Sequence, residues 1–333
     1  MKDTVLIVGQ PDDVHASALA SILKSEFNSH PIIWDNGSIP IESHMAFILS
    51  ENNTDFKLKS PEGVFSLDTI HSIWWRRPSK FRLDYSLTDP KVRNFCLSEC
   101  AAFFKGVLNA IDIPIINNPA AESLAAYKPL QLRIAQRIGL DIPKTLMSND
   151  PEHIRDFWKS LDGRCIYKAF TSPFWTLSET RLLTKEDLKD LDKLRHAPII
   201  VQEKIEKGLD VRVNIFGKSI FAAAVKTCVP DAELDWRLDL TAKWEEHILP
   251  DVISKQLILY LNNLGLHYGC LDLRQQPDGT YKFLEINPSG QFLFIEIDTG
   301  QPLLRSLAKL LVSPEIINPN IAYKGIESAT GVT

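Results

Sequence analysis

The sequence predicts a mixed α/β (α+β) protein built from several packed units. Three observations carry that expectation: strand-like and helix-like segments alternate through residues 1–118, the breaker cluster Asn117-Asn118-Pro119 closes that stretch, and an Asp278-Gly279 turn joins two strand-like runs in the last third. A chain of 333 residues is long enough for two or three subdomains around a large buried core.

Taken in order, residues 5–8 (Val-Leu-Ile-Val) read as a first strand, 14–27 as an amphipathic helix and 31–34 as a second strand. Residues 56–58 and 64–66 flank Pro61-Glu62-Gly63 as a hairpin, and 73–75 form a short strand running into Arg76-Arg77-Pro78. Residues 90–111 carry Val92, Phe95, Leu97, Phe103 and Leu108 at helical spacing, and 113–116 read as a strand. After the breaker come a helix over 121–139, an extended segment 141–145 and a second α+β unit from 150 to 198. The remainder holds several strands, a helix over 251–264, the 278–279 hairpin and a last helix over 302–311. The expected units are an N-terminal α/β domain (1–118), a central subdomain (119–198), a C-terminal subdomain (199–312) and a polar tail (313–333).

Bulk composition is that of a soluble globular protein, 44% hydrophobic and 24% charged. The net charge of -5 argues against a nucleic-acid backbone as the main partner. No run reaches the length of a membrane span, and the apolar N-terminal stretch is too short for a signal-peptide core, which suggests a cytoplasmic protein. The five cysteines are scattered without a Cys-x-x-Cys, as expected of reduced core thiols, and the eight histidines show no metal-ligand spacing. Neither a Gly-x-Ser-x-Gly elbow nor a Walker-type loop is present.

The segment 268–287 is the most informative. If Asp278-Gly279 is a two-residue turn, Pro277 pairs with Thr280 and counting back sets Asp272 opposite Glu285. Asp272 and Arg274 then share a face with Glu285 and Asn287. Two carboxylates directly across a ladder repel each other, so the arrangement calls for a positive charge between them. Asp272, Glu285 and Asn287 offer the hard oxygen ligands Mg²⁺ prefers, with phosphates and water completing an octahedron. The alternative is a solvent-facing strand pair with incidental acids; the apolar neighbours Leu271, Leu273, Phe283, Leu284 and Ile286 favour a cleft.

Leu271-Asp272-Leu273 and Phe283-Leu284-Glu285-Ile286-Asn287-Pro288 resemble the metal-binding strands of ATP-grasp ligases. Ser289-Gly290-Gln291, Trp74-Trp75-Arg76-Arg77-Pro78, Asp210-Val211-Arg212 and Asp235-Trp236-Arg237 resemble a narrower branch, the graspetide synthetases that cyclise microviridin-type precursor peptides, and the similarity runs over residues 1–312. The resemblance implies an ATP-grasp fold: an N-terminal α/β pre-ATP-grasp domain, a central α+β subdomain and a C-terminal antiparallel-sheet subdomain, with ATP between the second and third. It further implies that Asp272, Glu285 and Asn287 hold Mg²⁺, two ions in all, and that Lys128 and Lys168 contact the ATP phosphates. Residues 201–205, with Gln202, Glu203, Lys204 and Ile205, correspond to the hinge strand along adenine and ribose, where backbone groups of Glu203 and Ile205 read the adenine edge and Glu203 or Asp210 takes a ribose hydroxyl. One departure is that residues 169–176 contain no glycine where many ATP-grasp proteins have a glycine-rich loop.

Phosphoryl transfer between anions depends on positioning and cationic stabilisation, which Lys128, Lys168, Arg212 and Arg274 can supply, with Asn287 beside them. Arg212 and Asp210, two apart on a strand, either face one cleft or form a surface ion pair with each other. Lys168 lies in an apolar strand run, where a lysine needs a reason, whereas Lys128 on a helix has the plain alternative of a solvated side chain. Arg76 and Arg77 either hold an acidic peptide or pin acidic residues of a neighbouring domain, and Asp235 and Arg237 would orient an acceptor carboxylate.

The expected activity is that of an ADP-forming carboxylate–alcohol or carboxylate–amine ligase. It phosphorylates Asp or Glu side chains of a ribosomal precursor peptide and closes macrolactone or macrolactam links with Ser, Thr or Lys. The alternatives are a ligase that adds amino acids to a protein tail or joins small molecules, and a nucleotide-binding regulatory protein without turnover. The resemblance also implies a cytoplasmic homodimer that binds leader plus core peptide, neither nucleic acid nor membrane.

Overall fold

The computed structural model describes residues 3–66, 68–171, 180–206, 208–225, 227, 234, 236, 239 and 241–313. Asp235, Arg237 and residues 314–333 of the expected tail lie outside the described residues.

The chain opens with β1 (Thr4–Val8), α1 (Val14–Glu26) and β2 (His30–Trp34), followed by β3 (His44–Ser50), β4 (Asn53–Ser60), β5 (Gly63–Ser66), β6 (Ile70–Trp75), α2 (Pro90–Ala110) and β7 (Ile115–Ile116). Strands β2-β1-β6-β7 form a parallel sheet. The unbroken run Thr-Val-Leu-Ile-Val of β1 is buried throughout, as a parallel strand covered on both faces requires. Asp13 starts α1 by accepting from the Ala16 amide. β3-β4-β5 form a separate antiparallel sheet; β3 is an addition to the expected hairpin.

The helix expected over 121–139 is two helices, α3 (Pro119–Ala125) and α4 (Lys128–Arg137). Pro129 is the reason. Proline is tolerated in a first helical turn but not inside a helix, so the chain breaks at Ala126-Tyr127 and restarts with Lys128 as its first residue. Next come β8 (Thr145–Ser148), α5 (Pro151–Ser160), β9 (Cys165–Lys168), β10 (Arg181–Leu182) and β11 (Ile199–Glu203), in a sheet ordered β10-β9-β11-β8. β11, which follows the boundary expected at 198, is hydrogen-bonded into the centre of this sheet.

The last part holds β12 (Leu209–Phe216), β13 (Ser219–Val225), β14 (Glu245–Glu246), α6 (Asp251–Leu264), β15 (Tyr268–Gln275), β16 (Tyr281–Asn287), α7 (Leu293–Thr299) and α8 (Leu303–Val312). Its antiparallel sheet runs β14-β13-β12-β15-β16. One face carries Val211, Val213, Leu271 and Leu273 against Ile134 of α4 and Leu257 and Leu261 of α6. On the other, Phe216 and Tyr268 join Phe292, Leu307, Leu19 of α1 and Trp74 of β6 in one cluster, so the first and last sheets share a core. Asn117 welds this junction: its amide nitrogen donates to the carbonyls of Tyr268 and Pro288 (2.9 Å each), and its oxygen accepts from the amides of His267 (2.9 Å) and Tyr268 (3.0 Å).

The hairpin differs from its expected register in an instructive way. Gln276 donates to the Thr280 carbonyl, so the loop has three residues, Pro277-Asp278-Gly279, with Gly279 at φ +85°. That shifts the pairing by one, giving Gln275↔Tyr281, Arg274↔Lys282 and Leu273↔Phe283. A bulge then inserts Leu284 and restores Asp272↔Glu285.

Candidate active site

A cleft of about 710 Å³ lies where β9 and β11 face β12, β15 and β16. Its wall includes Lys128, Lys168, Asp210, Arg212, Asp272, Arg274, Glu285 and Asn287, residues spread over 160 positions of sequence that the fold brings together. Gln202, Lys204 and Ile205 also line it. Glu203 is not among the lining residues: its carboxylate accepts from the Lys144 amide (3.2 Å). Of the two carboxylates expected for a ribose hydroxyl, Asp210 faces the cleft.

Four charges on β12 and β15 form two cross-strand pairs. Asp210 is opposite Arg274 and Arg212 opposite Asp272. Asp210 Oδ1 accepts from Arg274 Nε (2.9 Å) and Nη2 (2.7 Å); Arg212 Nη1 donates to both Asp272 oxygens (2.7 and 2.8 Å). Arg212 therefore pairs with Asp272 and not with Asp210, because directly opposed side chains on neighbouring strands are closer than residues two apart on one strand. Lys128, at the head of α4, is ion-paired with Glu285. Its placement there follows from the helix break; on the continuous helix expected from sequence it has no such role.

Charge balance in the cleft is tight. Burial works against a charged Glu285, but the Lys128 and Lys168 ammonium groups outweigh it and hold the carboxyl below its ordinary range. Burial pushes Asp272 up, with Arg212 opposing and the Glu285 carboxylate adding to the rise. Burial lowers Lys168, against the pull of Glu285 and with the push of Lys128. Asp272, Glu285 and the Asn287 amide oxygen form a donor set that fits Mg²⁺. Among the described residues no group of three or more His, Cys, Asp or Glu side chains could hold a metal. Such a set suits an ion whose shell is completed by phosphate oxygens and water.

The two adjacent arginines separate. Arg76 is 1% exposed; its Nε donates to Asp13 (3.3 Å), its Nη1 to the carbonyls of Ser289 (2.8 Å) and Gly290 (3.4 Å), and its guanidinium lies 5.4 Å from the Trp74 ring centroid. It pins a neighbouring acid and the loop after β16, the second of the two roles the sequence left open, and its burial stands against the first, a peptide contact. Arg77 is exposed and lines the cleft. Around the same loop, Arg212 Nη2 donates to the Gln291 carbonyl (3.1 Å) and Tyr268 to the Gly290 carbonyl.

Sequence reasoning did not single out Glu122, Trp244 or Phe294, and it quoted Ser289 and Trp236 only within motifs; Trp236, Trp244 and Phe294 form an aromatic wall with ring centroids 5.0 to 5.8 Å apart. Glu122 sits in the first turn of α3, where an acid reads as a partner of the helix dipole. Ser289 Oγ donates to Glu122 Oε1.

Residues 4–123 match the family model described as the MvdD pre-ATP grasp domain. The chain superposes on the macrocyclase MdnC of Microcystis aeruginosa, solved bound with the precursor peptide MdnA, with a TM-score of 0.82 and 27% identity over 93% of this chain and 99% of that one. This chain has the ATP-grasp fold. A Chryseobacterium gregarium RiPP-associated ATP-grasp ligase, solved with ADP and a leader and core peptide, matches this ATP-grasp chain at TM-score 0.87 and 24% identity, over 96% and 100% of the two chains, a likeness of fold. A curated relative, a probable alpha-L-glutamate ligase of Vibrio parahaemolyticus, is 26% identical over 192 residues, 56% of this chain. The ATP-grasp chain covers 63% of that relative's length. No helix among the described residues is long and apolar enough to cross a membrane.

Proposed function

We propose that this ATP-grasp protein is an ADP-forming ligase that activates Asp or Glu side chains of a ribosomal precursor peptide and joins them to Ser or Thr hydroxyls or Lys amines of the same peptide. The carrying observation is Asp272 and Glu285 held opposite each other, beside Asn287, in a cleft also lined by Lys128, Lys168, Arg212 and Arg274. A cleft with this many cations suits a nucleotide triphosphate and a carboxylate brought together. The precursor peptide bound to MdnC favours a peptide substrate.

In this reading a substrate carboxylate oxygen attacks the γ-phosphorus of ATP, and ADP leaves with the bridging oxygen's electron pair. The nucleophile then attacks the acyl carbon, the C–O bond to phosphate breaks, and inorganic phosphate and a proton are released. Asp272, Glu285 and Asn287 would hold Mg²⁺, which supplies charge neutralisation and alignment of the phosphates. Lys128 and Lys168 would contact the phosphates, Asp210 with Gln202, Lys204 and Ile205 would bound the nucleoside, and Arg212 and Arg274 would stabilise the acyl phosphate, all of them residues that line the cleft. Arg77 serves the acidic peptide at the cleft rim. Asp235 and Arg237 are assigned to the acceptor carboxylate on the sequence resemblance alone.

The curated glutamate-ligase relative supports a second reading, addition of glutamate to a peptide or protein end. ADP release followed by intact mass separates the two: each link closed removes one water, whereas tailing adds a residue mass. ATP binding with no ADP released by any acidic peptide overturns both. A homodimer is proposed as the working state, checked by mass in solution.

A further inference from the structure

We infer that Glu122 and Ser289 form a proton relay that takes the proton lost by the incoming hydroxyl or amine as the ester or amide bond forms. This deepens the reading above and rests on it. Joining an alcohol or a neutral amine to an acyl phosphate releases a proton, and a positioned base speeds that step. The metal-side carboxylates Asp272 and Glu285 are engaged by Arg212 and Lys128. Asp210 is bound to Arg274, so three cleft carboxylates already have cationic partners. Glu122 is the exception.

Ser289 Oγ donates to Glu122 Oε1, while Oε2 is buried with no hydrogen-bond partner. Both residues line the cleft, and Ser289 is two positions from Asn287 and next to Gly290. Burial pushes the Glu122 carboxyl up to about 7, against the Ser289 hydrogen bond and the Arg76 charge. The groups around it are Arg76 and Arg77 after β6, Ser289 after β16, and Lys128 and Glu285 across the same cleft. Asp13 and His15 lie behind Arg76. α6 packs against α3, with Leu257 and Leu261 in the apolar cluster that holds Ala121 and Ala125.

The balance is complete without another reactant. The nucleophile's proton passes to Ser289 Oγ as the Ser289 proton passes to the Glu122 carboxylate, the new C–O or C–N bond forms, and phosphate departs with the electrons of the acyl C–O bond. A carboxyl near 7 is half ionised at neutral pH, ready to accept a proton and to lose it again to solvent.

The test uses the full chain, ATP, Mg²⁺ and a panel of synthetic peptides carrying Thr, Ser or Lys among Asp and Glu. Hydroxylamine traps the acyl phosphate as a hydroxamate, reporting the first step, and loss of water mass reports closure. With wild type, closure rises with pH through about 7. In Glu122→Gln the ratio of closure to hydroxamate is expected to fall on the order of a hundredfold, and the rise with pH disappears; Ser289→Ala is expected to do the same. An unchanged pH profile and ratio in folded Glu122→Gln overturns the relay. If wild type yields neither hydroxamate nor water loss with any peptide, the proposed function fails instead. Independently of peptide, ¹³C NMR of carboxyl-labelled glutamates should show one signal titrating near 7 that is missing in Glu122→Gln. Titration of that signal near the ordinary 4.5 overturns the relay.

Discussion

Asp272 stands directly across the sheet from Glu285, and it does so because Leu284 is an extra residue on β16. The three-residue loop alone would have set Asp272 against Leu284 and turned Glu285 away from it. Deleting Leu284 removes the bulge and lets Glu285 follow Phe283 directly, so it is expected to leave the hairpin, the Asp272–Glu285 pairing and ADP formation in place. Glu285→Ala is expected to lower ADP formation at least about a hundredfold while the protein stays folded. Peptide-dependent ADP release, with circular dichroism as the folding control, checks both; turnover retained in Glu285→Ala refutes the metal assignment.

Arg76 and Arg77 should part in function as they do in space. Arg76→Ala removes three hydrogen bonds from a buried cluster and is expected to destabilise by roughly 3 kcal/mol. Arg77→Ala is expected to leave the melting temperature unchanged and to weaken binding of acidic peptide. Thermal unfolding and peptide-binding isotherms give the comparison. Equal loss of stability in both variants contradicts the assignment.

His15 makes stability depend on pH. Its Nε2 accepts from the amides of Phe292 (3.1 Å) and Leu293 (3.3 Å), which requires that nitrogen to be unprotonated. Burial first, then the Arg76 charge, lower it from 6.5 to about 4, with Asp13 opposing. The unfolded chain then binds the proton more readily. The contribution is full above about 6.5 and is lost as pH falls towards 4, roughly 3 kcal/mol in all. Denaturant midpoints from pH 7.5 to 4.5 should show this slope, and His15→Gln should flatten it.

Gly290 and Gly106 offer a matched pair. A Cβ on Gly290 would lie 2.5 Å from Cys270 Cβ, 2.6 Å from its Sγ and 2.9 Å from Arg212 Nη2. Gly290→Ala is expected to cost on the order of 2 kcal/mol and to displace Arg212. On α2, Gly106 has nothing within 4 Å, and Gly106→Ala should stabilise by about 0.5–1 kcal/mol. Differential scanning calorimetry distinguishes the signs.

Asn117→Ala is expected to cost about 3 kcal/mol or more, since it strands two carbonyls and two amides at the junction of the first and last sheets. Earlier cleavage by protease between residues 117 and 128 would accompany the loss.

The class of fold, the strand over residues 5–8, the position of α6 and the acids of the β15–β16 hairpin are legible in the sequence. Each rests on local pattern: apolar runs, helical spacing, an Asp-Gly turn and residue chemistry that Mg²⁺ requires. What only the tertiary structure decided is which charge meets which. Arg212 reaching Asp272, Lys128 reaching Glu285, Arg76 buried on Asp13, and Glu122 meeting Ser289 are contacts across strands or between subdomains, many tens of residues apart in the chain. Two local features of one residue each, the third loop position and the Leu284 bulge, also escaped the pattern because they cancel at Asp272. Periodicity tells which way a side chain points on its own element; the packing of elements decides what stands opposite it.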